Sequence, residues 1–398
     1  MANPVNLRKL VLGGRGPKSY QKNAPDFTPI KWTKYFESAD TVNIDGNKFH
    51  YYLKGNQGPV LVTIHGGGYS ALSWALFSEE VTDKVQCRIL SIDLRGHGNT
   101  FTTNDEDLSL AQLANDVANV VNTVLKQESP QVILIGHSLG GAVVVEAAPL
   151  VENLIGVCVI DVVEGTALES LASMQSILRG RPSTFASIGH AIQWGFKGGS
   201  THNIDAAKVS MPGQIKCLKT GKIASQIVYE TPDDDLSTLN LVETNSATRV
   251  KPQILNVQAI SEDAEEDSDS NQSSSRDLPP LPPSASFKMP GKPEPKFGWR
   301  IDLGKTETFW SGWFKGLSDK FLNIPEPKIL LLANIHGLDT RLTVGQMQGR
   351  FQMQVLPKSG HAIHEDQPGK VADILSTFLV RQKLAEPASG YMPTLPGC

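Results

Sequence analysis

Gln131-Val-Ile-Leu-Ile-Gly-His-Ser-Leu-Gly-Gly-Ala-Val-Val-Val-Glu146 decides the fold of this chain. It opens with an apolar, β-branched run, Val132 to Ile135, of the kind a fully buried parallel strand requires. Gly136-His137-Ser138-Leu139-Gly140 follows, a G-x-S-x-G pentapeptide, and then small and apolar residues in a helical pattern from Ala142 to Ala148. Strand, sharp turn and helix in that order make a nucleophile elbow. The turn strains the serine backbone and is tolerated only where small residues stand two positions to either side. It lifts the Ser138 hydroxyl above the sheet, with the free N–H groups of a helix N-terminus beneath it. The pentapeptide alone is a weak signal, because Gly and Ser are common; its flanks give it weight.

Upstream, Val60 to Ile64 reads as another buried strand and runs directly into His65-Gly66-Gly67-Gly68. Such a loop exposes backbone N–H groups, so Gly67 or Gly68 is expected to share an oxyanion hole with the N–H of Leu139. Arg88 to Ile92 is a strand ending in Asp93-Leu-Arg-Gly-His-Gly98, a segment expected to brace the site, with His97 structural. Thr41 to Ile44 and Lys48 to Leu53 flank Asp45-Gly46 as a hairpin. Ser109-Leu-Ala-Gln112 is a capping box that opens a helix with Leu113, Val117 and Val124 on its apolar face. Gly156 to Ile160 is a further strand, ending at Asp161. Strands alternating with helices predict an α/β fold of the α/β-hydrolase type. Its sheet should be mostly parallel, with the site at the carboxyl ends of the strands.

A serine hydroxyl needs a base to take its proton as it attacks. In this fold the chain order runs serine, acid, histidine, the histidine just after the last strand. Among nine histidines, only His336, His361 and His364 lie late enough. His361 fits, because it follows the strand Phe351 to Val355 and the turn Ser359-Gly360, while His364 is expected to pack. For the acid, position alone leaves two choices. Asp339 follows the penultimate strand, and Asp161 ends the strand beside the elbow.

The chain has 398 residues, 40% of them hydrophobic, and a net charge of −4. That near balance gives no basis for nucleic acid as a partner. No apolar run is long enough for a membrane span, and the first residues hold no apolar signal core. Four widely spaced cysteines suit reduced thiols in cytosol or nucleus. Residues 1–36 read as a flexible basic segment and 37–164 as the first part of the hydrolase core. Residues 165–325 are a lid insertion, of which 231–297 are acidic, Ser- and Pro-rich and expected to be disordered. Met211-Pro212-Gly213 should break its helices, and the aromatics Phe309, Trp310, Trp313 and Phe314 should pack within it. Residues 326–386 complete the core and 387–398 form a tail.

Ile64-His-Gly-Gly-Gly-Tyr-Ser-Ala-Leu-Ser-Trp74 resembles the protein phosphatase methylesterases. So do Asp161-Val-Val-Glu-Gly-Thr166, Arg179-Gly-Arg-Pro182, Val209-Ser-Met211, Trp299 to Trp313, and Gln346-Met-Gln-Gly349 through Asp366. The resemblance places the nucleophile on Ser138, the acid on Asp161 and the base on His361. Leu139 stands where the family pattern leads one to expect Met, a conservative change because the backbone N–H does the work. The implied activity is removal of the methyl ester from the C-terminal leucine of the protein phosphatase 2A catalytic subunit, with no metal or organic cofactor. The family also resembles an inhibitor that holds inactive phosphatase. Rival expectations are a lipase or small-ester hydrolase of the same fold, or a non-catalytic scaffold for the phosphatase. Within the acidic insert, Val257-x-x-Ile260-x-Glu262 resembles the L-x-x-I-x-E motif that B-prime regulatory subunits of phosphatase holoenzymes read.

Overall fold

A computed structural model describes residues 25–240, 296–334 and 338–392. Strands β1 (Ser38–Ile44) and β2 (Asn47–Lys54) form the expected hairpin, with Asp45 and Gly46 at φ 51° and 81°, as a tight turn between twisted strands demands. In chain order there follow β3 (Val60–Ile64), α1 (Ala75–Thr82), β4 (Arg88–Ile92), α2 (Leu110–Val124) and β5 (Val132–His137). Helix α3 (Leu139–Ala147) and β6 (Leu154–Ile160) complete this first part.

The insertion holds α4 (Glu164–Arg179), β7 (Thr184–Phe185), α5 (Ile188–Lys197), α6 (Ile204–Gln214), β8 (Ile215–Cys217), α7 (Ala224–Glu230) and β9 (Phe297–Trp299). Helices α8 (Glu307–Phe314) and α9 (Leu317–Asn323) lead into β10 (Lys328–Leu332), α10 (Thr340–Met347), β11 (Gln352–Val355), α11 (Ile363–Asp366) and α12 (Pro368–Arg381).

Eight strands form one sheet in the order β1-β2-β4-β3-β5-β6-β10-β11, antiparallel at the hairpin end and parallel from β4 onward. Side chains alternate between two cores. Val60, Val62, Ile64 and Leu134 point into one, covered by α2, α3, α8 and α9; Leu61, Ile133 and Ile135 point into the other, covered by α1 and α12. Covering both faces explains why β3 and β5 are apolar without a break.

The aromatic cluster packs not only within the lid, against α4, but also onto the main core. Trp310, Trp313 and Phe314 belong to the core beside α2 and α3, and the Trp313 indole N–H donates to the Leu108 carbonyl at 2.7 Å. Pro212 does not break the chain but sits inside the last turn of α6. Proline has no N–H, so the Lys208 carbonyl is left free, and the N–H of Ile30 takes it at 3.1 Å. That bond helps anchor the end of the N-terminal segment, where Phe27, Tyr35 and Phe36 are buried. Residues 231–240 are likewise not disordered, since Asp233–Asn240 forms a 3₁₀ helix. At the other end, Gln86 N–H donates to Glu386 O and Ala388 N–H to Lys84 O, tying down the start of the tail. The capping box at Ser109 does not form. Its side chain makes no cap bond, and the Gln112 amide turns to Asp116 instead.

The rest of the insertion has its own small core, with Phe185, Ile188, Ile192, Met211, Ile215 and Phe297 under a three-stranded sheet ordered β7-β9-β8. Buried Arg300 pins it to the main domain, donating to the carbonyls of Gly98 and Thr100 and to the Asp105 carboxylate. Val257, Ile260 and Glu262 lie outside the described residues.

Candidate active site

Ser138 sits between β5 and α3 at φ 53° and ψ −121°, the strained elbow conformation. Its small neighbours are required by contact. A Cβ on Gly136 would stand 2.1 Å from the Gly140 carbonyl oxygen, and one on Gly140 would stand 2.3 Å from that of Ile64.

The Ser138 hydroxyl lies 2.9 Å from His361 Nε2, and His361 Nδ1 lies 2.8 Å from Asp161 Oδ2. A carboxylate can only accept, so Nδ1 carries the proton and Nε2 is free to receive the serine hydrogen. Asp161 follows β6 directly at φ 54°, with its own N–H bonded to the Leu331 carbonyl. Its second oxygen accepts the Ala333 N–H at 2.9 Å. Burial pushes the Asp161 pKa up, but the bond and charge of His361 and the Ala333 N–H more than offset this, holding it below its ordinary value. Asp339, the alternative by spacing, caps α10 instead: it accepts from the Leu342 N–H at 2.8 Å and from the Ser318 hydroxyl.

The candidate oxyanion donors divide. The Gly68 N–H donates to His97 Nε2 at 2.9 Å and is therefore spent. His97 can accept because its Nδ1–H is bonded to the Arg95 carbonyl at 2.8 Å. The Gly67 N–H meets no acceptor among the described residues, and that of Leu139, first in α3, has none within its helix. A Cβ on Gly67 would stand 3.6 Å from the Leu139 side chain, so the two residues are neighbours next to Ser138. Gly68 is thus removed from the expected set, while His97 has the bracing role expected of it.

Beneath the triad lies a layer of buried histidines, of which sequence reasoning foresaw the packing of His364 but missed His137 and His65. His137 Nε2–H donates to the backbone carbonyl of His361 at 2.8 Å and so steadies the base. His364 stacks between Trp74 and His137, at 4.2 and 4.5 Å. His65 donates from Nδ1 to the Gly66 carbonyl and accepts the Leu94 N–H, which holds the glycine loop. The x position of the G-x-S-x-G pattern and the H of H-G-G-G were the available signals. Asp366 accepts from the Gly360 N–H at 2.6 Å and from Thr201 and His202 of the insertion, linking the turn before His361 to the lid.

Burial sets the pH response of this layer. It lowers His97 to about 4 and His364 to about 3, and holds His65 and His137 well below the ordinary 6.5. Each stays neutral when folded, whereas the unfolded chain protonates it, so the stability it contributes is present above 6.5 and drains as pH falls toward 4. Glu365 is the reverse case: burial raises it to about 8 from 4.5, so its contribution is full below 4.5 and lost as pH rises through 8. Glu365→Gln should therefore gain melting temperature relative to the parent, and the gap should widen between pH 5 and pH 8, within that window. A gap independent of pH would mean that Glu365 is ionised in the fold.

The chain matches the alpha/beta hydrolase family profile over residues 61–216. Among solved structures it is similar to E-2-(acetamidomethylene)succinate hydrolase, with a TM-score of 0.57 at 14% identity over 86% of this chain and 99% of that one. A Mycobacterium tuberculosis esterase gives 0.53 at 16% identity, over 86% and 92%. These likenesses are of fold alone. Fold and site together define an α/β hydrolase with a serine, histidine and aspartate hydrogen-bonded in series. Sequence narrows the class. The chain is 45% identical to mouse "Protein phosphatase methylesterase 1" across 94% of its own length and 90% of the relative's. The human protein of the same name gives the same figures. A Caenorhabditis elegans "Probable protein phosphatase methylesterase 1" is 33% identical over 98% and 89%. The chain belongs to the protein phosphatase methylesterase family, and it is a carboxylic ester hydrolase. Among the described residues no helix is long and apolar enough to cross a membrane.

Proposed function

We propose that this hydrolase removes the methyl ester from the C-terminal leucine of the protein phosphatase 2A catalytic subunit, through an acyl-enzyme on Ser138. The observation that carries the reading is the unbroken hydrogen-bond series Ser138–His361–Asp161, in a chain of this family. Ser138 attacks the ester carbonyl as His361 Nε2 takes its proton. Asp161 holds the imidazole tautomer and stabilises the cation that forms. The oxyanion is received by the N–H groups of Gly67 and Leu139, each worth on the order of 10²–10³ in rate. His361 returns the proton to the departing methanol. Water, deprotonated by the same nitrogen, then frees the leucine carboxylate. No metal or organic cofactor enters these steps.

Partners and place follow the same reading. Free, buried thiols at Cys87 and Cys158 suit a reducing cytosol or nucleus. In holoenzymes, Val257, Ile260 and Glu262 of the acidic insert provide a second contact to B-prime regulatory subunits, raising the effective concentration of the site at the catalytic subunit. The test compares a carboxymethylated catalytic subunit with free leucine methyl ester as substrates. The proposal predicts a much higher kcat/KM on the phosphatase. Equal values would make this a general small-ester hydrolase.

A further inference from the structure

Arg181 stands beside the glycine loop of the active site with no acid among the described residues to meet it. It lies two residues past the end of α4, on a turn fixed by the Trp299 indole, whose N–H donates to the Pro182 carbonyl at 2.8 Å. Its guanidinium rests over the Trp299 ring, 5.4 Å from the centroid. On its other side, Nη1 comes within 3.7 Å of the point where a Cβ on Gly68 would stand. Among the described residues it makes no ion pair and no side-chain hydrogen bond. Burial lowers its pKa, and of its neighbours only Tyr69 acts the other way. Tyr69 holds its ring edge-on to His137 at 5.5 Å, and its hydroxyl has no hydrogen-bond partner among the described residues. Leu303 closes the same corner, its Cδ1 2.9 Å from the Cβ position on Gly68.

A half-buried cation held by packing and left without an anion is costly unless a ligand supplies one. The scissile ester is neutral and offers no charge. The transient oxyanion belongs to Gly67 and Leu139, and the N–H of Gly68, the glycine nearest Arg181, is closed off by His97. We infer that Arg181, with Tyr69 beside it, forms an anion subsite that takes a carboxylate side chain of the substrate segment leading to the ester. A guanidinium receives a carboxylate through two parallel hydrogen bonds, and the tyrosine hydroxyl adds a third donor. The inference rests on the ester-hydrolase reading above and adds to it a determinant of sequence preference.

The test uses short peptides ending in leucine methyl ester, with one Asp placed at each of several positions before the leucine and matched with Asn. At one position Asp should be preferred over Asn about ten- to hundredfold in kcat/KM. Arg181→Gln should collapse that ratio to near one, and Arg181→Lys, which keeps the charge but not the fork, should retain part of it. The proposal is overturned if no position prefers Asp, if the preference survives in Arg181→Gln, or if the Asp and Asn peptides lose equally. The same peptides as C-terminal amides, followed by fluorescence anisotropy, read binding without turnover. If no ester is cleaved, the catalytic reading fails while the amide pairs still decide the role of Arg181.

Discussion

Ser138→Ala should lower ester hydrolysis by about 10⁴–10⁶-fold, because it removes the atom that attacks and leaves only the oxyanion donors and binding. The loss belongs in kcat, since a single hydroxyl contributes little to a docking surface. Folding should be almost unaffected. The side chain points into the site, and φ 53° strains alanine much as it strains serine. Ser138→Gly should be at least as stable as Ser138→Ala, because glycine meets no Cβ penalty at that φ. A Ser138→Ala protein that hydrolyses esters within tenfold of the parent would place the nucleophile elsewhere.

Asp161→Asn should cost about 10⁴-fold in kcat. The amide is nearly isosteric, but it can present N–H where His361 Nδ1 needs an acceptor, which favours the wrong imidazole tautomer. Asp339→Ala should leave kcat near the parent value and cost about 0.5–2 kcal/mol of stability, through the cap of α10 and the bond from Ser318. The pair of variants separates two acids that sequence spacing could not. Reversed outcomes, with the Asp339 variant inactive and the Asp161 variant active, would exchange their roles.

The elbow, its strand and the glycine loop were legible because their signals are local. An apolar β-branched run, glycines at fixed offsets and a helix start leave few alternatives for the backbone. The hairpin at Asp45-Gly46 was legible for the same reason. The acid was not legible from spacing, and resemblance alone pointed to Asp161, because the choice depends on which strand lies beside β6. Only pairing with β10 brings Ala333 N–H and Leu331 O onto Asp161. Spent donors are invisible to any motif. Gly67 and Gly68 look alike in sequence, and a histidine 29 residues after Gly68 decides between them. Pro212 misled for a related reason. A missing N–H reads as a break until a distant residue, Ile30, uses the carbonyl it leaves free. Trp313 likewise announced burial without saying against what, and its partner carbonyl, Leu108, lies 205 residues away.

The most direct measurement is acid-quenched mass analysis of the parent enzyme and Ser138→Ala during turnover of a carboxymethylated phosphatase catalytic subunit. The account predicts loss of the methyl group with the parent, together with a transient covalent species joining Ser138 to the C-terminal leucine. Ser138→Ala should show neither. Methyl loss at the parent rate in Ser138→Ala, or an intact ester after prolonged incubation with the parent, would contradict it.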